Sequence, residues 1–335
     1  MTEGIKDYLL GSYRETMDYV NKIARHGLTK MSPMIISCAL SGGVHGKEAN
    51  PNLPESAEEQ AGAAYDAYNA GAVSVHIHAR DPLHLYATTS KPRDFQEVNY
   101  LVRQKCPDVI INNTCMGGRQ IFKEEKTVSD PIWPSIAARP ELASMDITSL
   151  THLNSTKDRE APLKCPRPAV DYHMDYLMTW DDCIETAREM RKNGIKPELE
   201  MFDMHNAKHI YNMISAGVLD KPYWVQMLFG GTGLYPTVEI MLQAARILPA
   251  ETLFSIIGIG GSQNAMVTLG IILGHHIRVG MEDNPMYGPK QPAASNAQLV
   301  ERVVRVAREL GRPIATVAQA REMLGLGAPR RYDPV

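Results

Sequence analysis

From Pro33 onward the chain alternates short apolar runs with longer amphipathic ones, eight times over. The runs predict strands at Met34–Ala39, Val73–Ala79, Asp108–Asn113, Leu142–Ile147, Glu198–Phe202, Tyr223–Phe229, Thr252–Ile257 and His276–Met281. Helices are expected from Pro54 to Ala70, near Asp94–Lys105, at Thr179–Asn193 and about 206–216, then at Tyr235–Ile247, Gln263–Leu273, Ser295–Leu310 and Val317–Leu324. Pro54-Glu55-Ser56-Ala57-Glu58-Glu59 opens its helix with acidic residues that complement the dipole. Eight strand–helix units argue for an α/β fold closed into a (β/α)8 TIM barrel. A doubly wound sheet is the alternative, but no GxGxxG follows the first strand. Tyr13, Met17, Val20 and Ile23 recur at helical spacing before the repeat begins. The organisation expected is therefore an N-terminal helical extension over 1–30, the barrel over 31–327 and a tail over 328–335.

Barrel sites form where strands end at their C-terminal side. The second strand ends there in Val75-His76-Ile77-His78-Ala79-Arg80-Asp81, and its alternation puts His76 and His78 on one face. Two imidazoles at i and i+2 can reach one metal ion, or they can be partnered polar residues of a crowded core. The eighth strand runs out as Arg278-Val279-Gly280-Met281-Glu282-Asp283-Asn284. In a closed barrel strand eight is separated from strand two only by strand one, so Glu282 can approach both histidines. Two imidazoles and a carboxylate suit a catalytic Zn2+ with an open position. Arg278 has a plainer reading as an ion-pair partner of Glu282 or Asp283.

The same rule brings Asn113, Thr114 and Cys115, then Ser144 and Asp146, then Glu198 and Glu200 to the mouth. Asn112-Asn113-Thr114-Cys115-Met116-Gly117-Gly118 offers polar groups followed by glycines that let a small carboxylate near the backbone. Nothing in the sequence pairs Cys115 with a base. Gly230-Gly231-Thr232-Gly233 and Gly258-Ile259-Gly260-Gly261 are weaker phosphate-site candidates, since glycines at such turns are common for geometric reasons. About thirty residues after the fourth strand, among them 154–160 and 165–168, break the rhythm and read as a functional loop over the mouth.

Composition removes several classes. A net charge of -3 argues against nucleic acid or an anionic membrane as the partner. No apolar run approaches the ~20 residues of a membrane span, and charged residues throughout 1–29 argue against a signal peptide. Five cysteines without CxxC spacing read as free thiols of a cytoplasmic protein.

Taken in order, several motifs resemble those of the β-keto acid cleavage enzymes, the family typified by 3-keto-5-aminohexanoate cleavage enzyme. They are Asn50-Pro51-Asn52-Leu53-Pro54, Ala70-Gly71-Ala72 through His76-Ile77-His78-Ala79-Arg80-Asp81, Arg139-Pro140-Glu141-Leu142-Ala143-Ser144, Lys196-Pro197-Glu198-Leu199-Glu200 and Arg278 to Asn284. Ser295-Asn296-Ala297 and Ala318-Gln319-Ala320-Arg321-Glu322 also fit. The resemblance spans about 33–326. It implies a zinc-dependent barrel, a homo-oligomer of tetrameric type, that converts a β-keto acid and acetyl-CoA into acetoacetate and a new acyl-CoA.

The same resemblance implies zinc ligands His76, His78 and Glu282, with proton transfer by the pair Arg278 and Asp283. It places Ser144, Glu200, Gly117, Gly118 and, more loosely, Cys115 against the substrate. Two departures stand out. Ser41-Gly42-Gly43-Val44 replaces the family's Thr-Gly-Ala-Glu, so Val44 stands where a glutamate would reach the substrate's far end. Thr114-Cys115-Met116-Gly117-Gly118 lacks the usual hydroxyl pair. The metal and proton-transfer residues are intact, so the expected substrate is a β-keto acid other than the amino acid that names the family. A metal-dependent aldolase or hydrolase, and a non-catalytic metal-containing binding protein, are the alternatives the residues leave open.

Overall fold

The computed structural model describes residues 13–115, 119–122, 127–128 and 133–335. Eight parallel strands close into a barrel in chain order: β1 Ile36–Ala39, β2 Ser74–Ile77, β3 Ile110–Asn113, β4 Leu142–Asp146, β5 Lys196–Met201, β6 Tyr223–Phe229, β7 Thr252–Gly258 and β8 His276–Val279. β8 pairs with β1, which completes the ring. The (β/α)8 architecture expected from the alternation is the one found, with several strands starting or ending one or two residues inside the expected runs, β5 starting two residues before its run and β7 ending one residue after.

Ten helices are described. These are α1 Tyr13–His26, α2 Ala57–Ala70, α3 Pro92–Lys105, α4 Pro134–Ala137, α5 Trp180–Lys192, α6 Asn206–Ser215, α7 Val238–Ile247, α8 Gln263–Ile272, α9 Asn296–Glu309 and α10 Val317–Leu324. Capping boxes start α2 (Ser56 and Glu59), α5 (Thr179 and Asp182) and α10 (Thr316 and Gln319). Each box satisfies amides that the first helical turn leaves unpaired. α10 closes the N-terminal end of the barrel. Its Val317, Ala320 and Leu324 pack with Ile35, Val73, Ile110, Leu142 and Trp224, which sit at the strand starts. Truncating Leu324, fully buried there, to alanine would cost about 2–5 kcal/mol.

The same end is tied by charge. Glu141, buried just before β4, accepts from Arg103 at 2.9 Å, from Arg321 of α10 and from the Arg330 amide at 3.0 Å. The C-terminal end is thereby left as the open face.

The stretch after β4 is not a loop. Leu150–Thr156 and Val170–Leu177 form an antiparallel hairpin in seven registered pairs, and Arg119–Phe122 adds to its other edge. Burial along Leu150–Thr156 alternates residue by residue, but both faces carry polar side chains, which is why no strand period was visible in the sequence. The 157–169 tip reaches across the mouth. Arg159 pairs with Glu48 and Glu55, each at 2.7 Å, Arg167 pairs with Glu48 at 2.9 Å, and Cys165 Sγ donates to the Leu83 carbonyl at 3.0 Å. The tip thus pins the segment after β1 and the small hairpin after β2, Arg80–Asp81 with His84–Thr88. Among the described residues no helix is long and apolar enough to cross a membrane. All five cysteines are free.

Candidate functional site

Parallel register fixes who meets whom. Ala39 of β1 lies between His76 of β2 and the end of β8, and Ser37 stands opposite Arg278. His78 lies one residue beyond β2 and keeps its face, with the two imidazoles 5.1 Å apart edge to face.

The eighth strand is shorter than the run to Met281 expected from the sequence. β8 stops at Val279, and Glu282 sits on the turn that follows rather than on a continued strand face. The cause is Gly280, whose backbone runs so close to β1 that a Cβ there would lie 1.9 Å from the Ala39 carbonyl oxygen. The turn folds Glu282 back over β1, where the Gly42 amide donates to Oε2 at 3.1 Å. Gly42 itself has φ +62°, and a Cβ on it would lie 2.7 Å from Glu282 Cγ.

The outcome is a tight cluster. Glu282 Oε1 lies 3.5 Å from His76 Nε2 and 3.3 Å from His78 Nε2, and one ligand atom from each of the three residues falls within 4.8 Å of the others. Among the described residues this is the one such group of three. Burial pushes the His76 imidazole well down, so it offers a lone pair rather than a charge. Burial alone would raise the Glu282 carboxyl, but His78, Arg278 and His76 hold it well below the usual carboxylate range.

Arg278 lies beside them, 3% exposed. It binds Asp283 through Nε at 3.2 Å and Nη2 at 2.9 Å, Glu282 through Nη2 at 2.5 Å, and Gln226 through Nη1 at 3.3 Å. Glu200 is 3.6 Å from the same Nη1. Burial opposes the charge, yet Asp283, Glu282 and Glu200 hold the guanidinium well above its ordinary value. Asp283 is pushed up to about 6 by burial against the pull of Arg278, with Glu282 adding to the rise.

Asp146 and Glu200 face each other in β4–β5 register, both buried. Burial and mutual repulsion raise Glu200 well above the usual range, and burial takes Asp146 to about 6. Arg278 lies among Glu200, Glu282 and Asp283, so acidic groups outnumber basic ones around it. Donor set, spacing and charge all fit a metal ion held by His76, His78 and Glu282.

The remaining expected positions divide. Ser144 lies inside the barrel, its Oγ accepting from the Cys115 amide at 3.4 Å. The Cys115 thiol is 2% exposed and burial pushes it up to about 12, which suits no nucleophile. Val44 is half-buried in the segment after β1, whose Ser41 and His45 carbonyls accept from Arg80 Nη2 at 2.8 and 2.7 Å. Gly117 and Gly118 lie outside the described residues. Gln226 went unassigned in the sequence, although a lone amide within the seven apolar-flanked residues of β6 was a usable signal. Asp146 was placed at the mouth without a role.

A closed (β/α)8 barrel with two histidines and a carboxylate gathered at its C-terminal mouth defines a barrel enzyme equipped to hold a metal. A family model described as beta-keto acid cleavage enzyme matches residues 33–326, and the chain belongs to that family, an acyltransferase-type class of carbon–carbon cleavage enzymes. The chain is 33% identical over 297 residues to the 3-keto-5-aminohexanoate cleavage enzyme of Acetoanaerobium sticklandii, covering 88% of this chain and 99% of that one. It is 32% identical to the 3-oxoadipate:acetyl-CoA acetyltransferase of Cupriavidus necator, covering 88% and 95%. Among solved structures, ObcA in a ternary complex with a C4-CoA adduct and oxalate shares the fold, with a TM-score of 0.60 at 18% identity over 82% of this chain and 68% of that chain.

Proposed function

We propose that this enzyme is a zinc-dependent β-keto acid cleavage enzyme that takes acetyl-CoA as co-substrate and releases acetoacetate and a new acyl-CoA. The observation that carries the reading is the convergence of His76, His78 and Glu282 on one point beside the Arg278–Asp283 pair. The names of relatives that act with acetyl-CoA, 3-oxoadipate:acetyl-CoA acetyltransferase and 3,5-dioxohexanoate:acetyl-CoA acetone transferase, support the co-substrate. A zinc ion held by the three residues would act as a Lewis acid toward the substrate's keto oxygen and acidify the adjacent CH2.

Asp283 accepts the proton from that CH2, because a guanidinium stays protonated at any working pH. Arg278 orients the carboxylate through its two-point contact and offers positive charge to the substrate. The carbanion attacks the acetyl thioester and expels CoA thiolate. The thiolate then adds to the original ketone, the bond between that carbon and the CH2 breaks, and the proton returns to acetoacetate. Atoms balance without a redox step. Ser144, Glu200, Cys115, Gly117 and Gly118 belong to the substrate's carboxylate side in this reading, and Val44 to its far end. Valine there favours an uncharged substituent over an ammonium group. Metal analysis of His76→Ala, His78→Ala and Glu282→Gln tests the centre. Each is expected to lose zinc and activity together, and a full equivalent of zinc in all three variants would refute the assignment.

A further inference from the structure

Glu198 is fully buried inside the barrel and has no part in the chemistry above. Both of its oxygens are committed. Oε1 accepts from Asn112 Nδ2 at 2.7 Å and Oε2 accepts from Trp224 Nε1 at 2.5 Å. Trp224 stands directly opposite Glu198 in β5–β6 register, and Asn112 stands directly opposite His76 in β2–β3 register. The three side chains thus run across the interior from β6 to β2 and end at a residue of the proposed metal centre.

The direction of that chain matters. Because the Asn112 amide nitrogen is spent on Glu198, its carbonyl oxygen is the atom left for the His76 side, where the two residues are register partners on adjacent strands. Asn112 Oδ1 and His76 Nδ1 are both buried, and among the described residues both atoms lack a hydrogen-bond partner. A buried acceptor next to a buried ring nitrogen selects the tautomer that carries its proton on Nδ1. That tautomer leaves the lone pair on Nε2, the atom that lies 3.5 Å from Glu282.

We propose that Trp224, Glu198 and Asn112 form a positioning relay for His76. Trp224 fixes the carboxylate, the carboxylate fixes the amide, and the amide oxygen holds the imidazole with Nε2 toward the metal. Metal-ligating histidines gain orientation and basicity from such partners, and losing one costs 10–100-fold in affinity. The proposal rests on the metal reading of His76, His78 and Glu282. A purely structural triad would instead lower thermal stability and leave metal affinity alone.

The test is the zinc dissociation constant of the full chain by competition with a chromogenic chelator, with thermal melts of the metal-free proteins alongside. The wild type should bind one zinc and His76→Ala should not. Asn112→Leu should bind about 10–100-fold more weakly. Glu198→Gln should weaken binding too, because the new amide lets Asn112 turn its NH2 toward His76. Asn112→Asp with Glu198→Gln should recover wild-type affinity, since a carboxylate then accepts from both the imidazole and the glutamine amide. Affinity within twofold of wild type in Asn112→Leu overturns the relay while the metal reading stands. If Asn112→Leu does not fold, a double variant much weaker than wild type overturns it. A wild type that binds no zinc, or a His76→Ala protein that binds it as tightly, overturns the metal reading instead.

Discussion

Arg278 and Asp283 are joined at two points, Nε to Oδ2 at 3.2 Å and Nη2 to Oδ1 at 2.9 Å, while the same Nη2 reaches Glu282 at 2.5 Å. The proposed proton-transfer pair and the proposed metal ligand Glu282 therefore meet at one guanidinium nitrogen. Asp283→Asn should slow exchange of solvent deuterium into the keto acid's CH2, measured without acetyl-CoA, by about 10²–10⁴-fold. Arg278→Lys should slow it as well, since an ammonium cannot make the fork. Within a unit losses do not add, so the double variant should be no slower than the worse single one. Exchange at the wild-type rate in both single variants would remove the pair from this step.

Gly280 and Gly42 are where the backbone makes room for Glu282. Gly280→Ala puts a Cβ 1.9 Å from a β1 carbonyl that pairing holds in place, a destabilisation of about 3 kcal/mol or more. Gly42→Ala at φ +62° should cost about 1–2 kcal/mol and push Glu282 aside. Denaturant melts and zinc content measure both effects. Normal zinc affinity in Gly42→Ala would contradict the seating of Glu282 described above.

Val44 sets the expected substrate preference. A short neutral β-keto acid should exceed its amino-substituted analogue by at least ~10-fold in kcat/KM, about 1.4 kcal/mol. Val44→Glu should narrow or reverse the ratio. Competition between the two substrates gives it directly, and a wild-type preference for the amino compound would show that another group serves the far end.

His276 makes the fold acid-sensitive. Its ring is buried, its Nδ1 accepts from the Ile35 amide at 3.0 Å, and burial takes its pKa to about 3, with Arg312 and His275 assisting. The folded value lies below the unfolded one near 6.5, so the unfolded chain binds a proton the folded chain refuses. Stability is complete above about pH 6.5 and falls as pH drops toward 3, by about 2 kcal/mol between pH 7 and pH 5. His276→Asn keeps an acceptor for Ile35 and should flatten that limb. An equally steep acid limb in the variant would assign the loss to other groups.

Much of this was legible because strand period and chain order carry it. Val75-His76-Ile77-His78 puts both imidazoles on one face whatever surrounds them, and closure of the barrel brings Glu282 near. What could not be read is the route Glu282 takes, since it depends on a close approach between Gly280 and Ala39, 241 residues apart in sequence. The hairpin at 150–177 was hidden because polar side chains on both faces erase the period. Glu141 shows a further limit: it lies three residues before Ser144, yet it ties the closed end together while Ser144 points into the barrel. Adjacency in a motif does not place residues at one site.

The central claim is a metal-dependent acetyl transfer, and one assay tests it most directly. The purified chain is incubated with a panel of β-keto acids and acetyl-CoA, and acetoacetate and the new acyl-CoA are quantified with chelator, without it, and after zinc is restored. The account predicts equal amounts of both products, formed only when acetyl-CoA is present, abolished by the chelator and recovered with zinc. Keto-acid cleavage that proceeds without acetyl-CoA, or that is indifferent to removal of the metal, would contradict it.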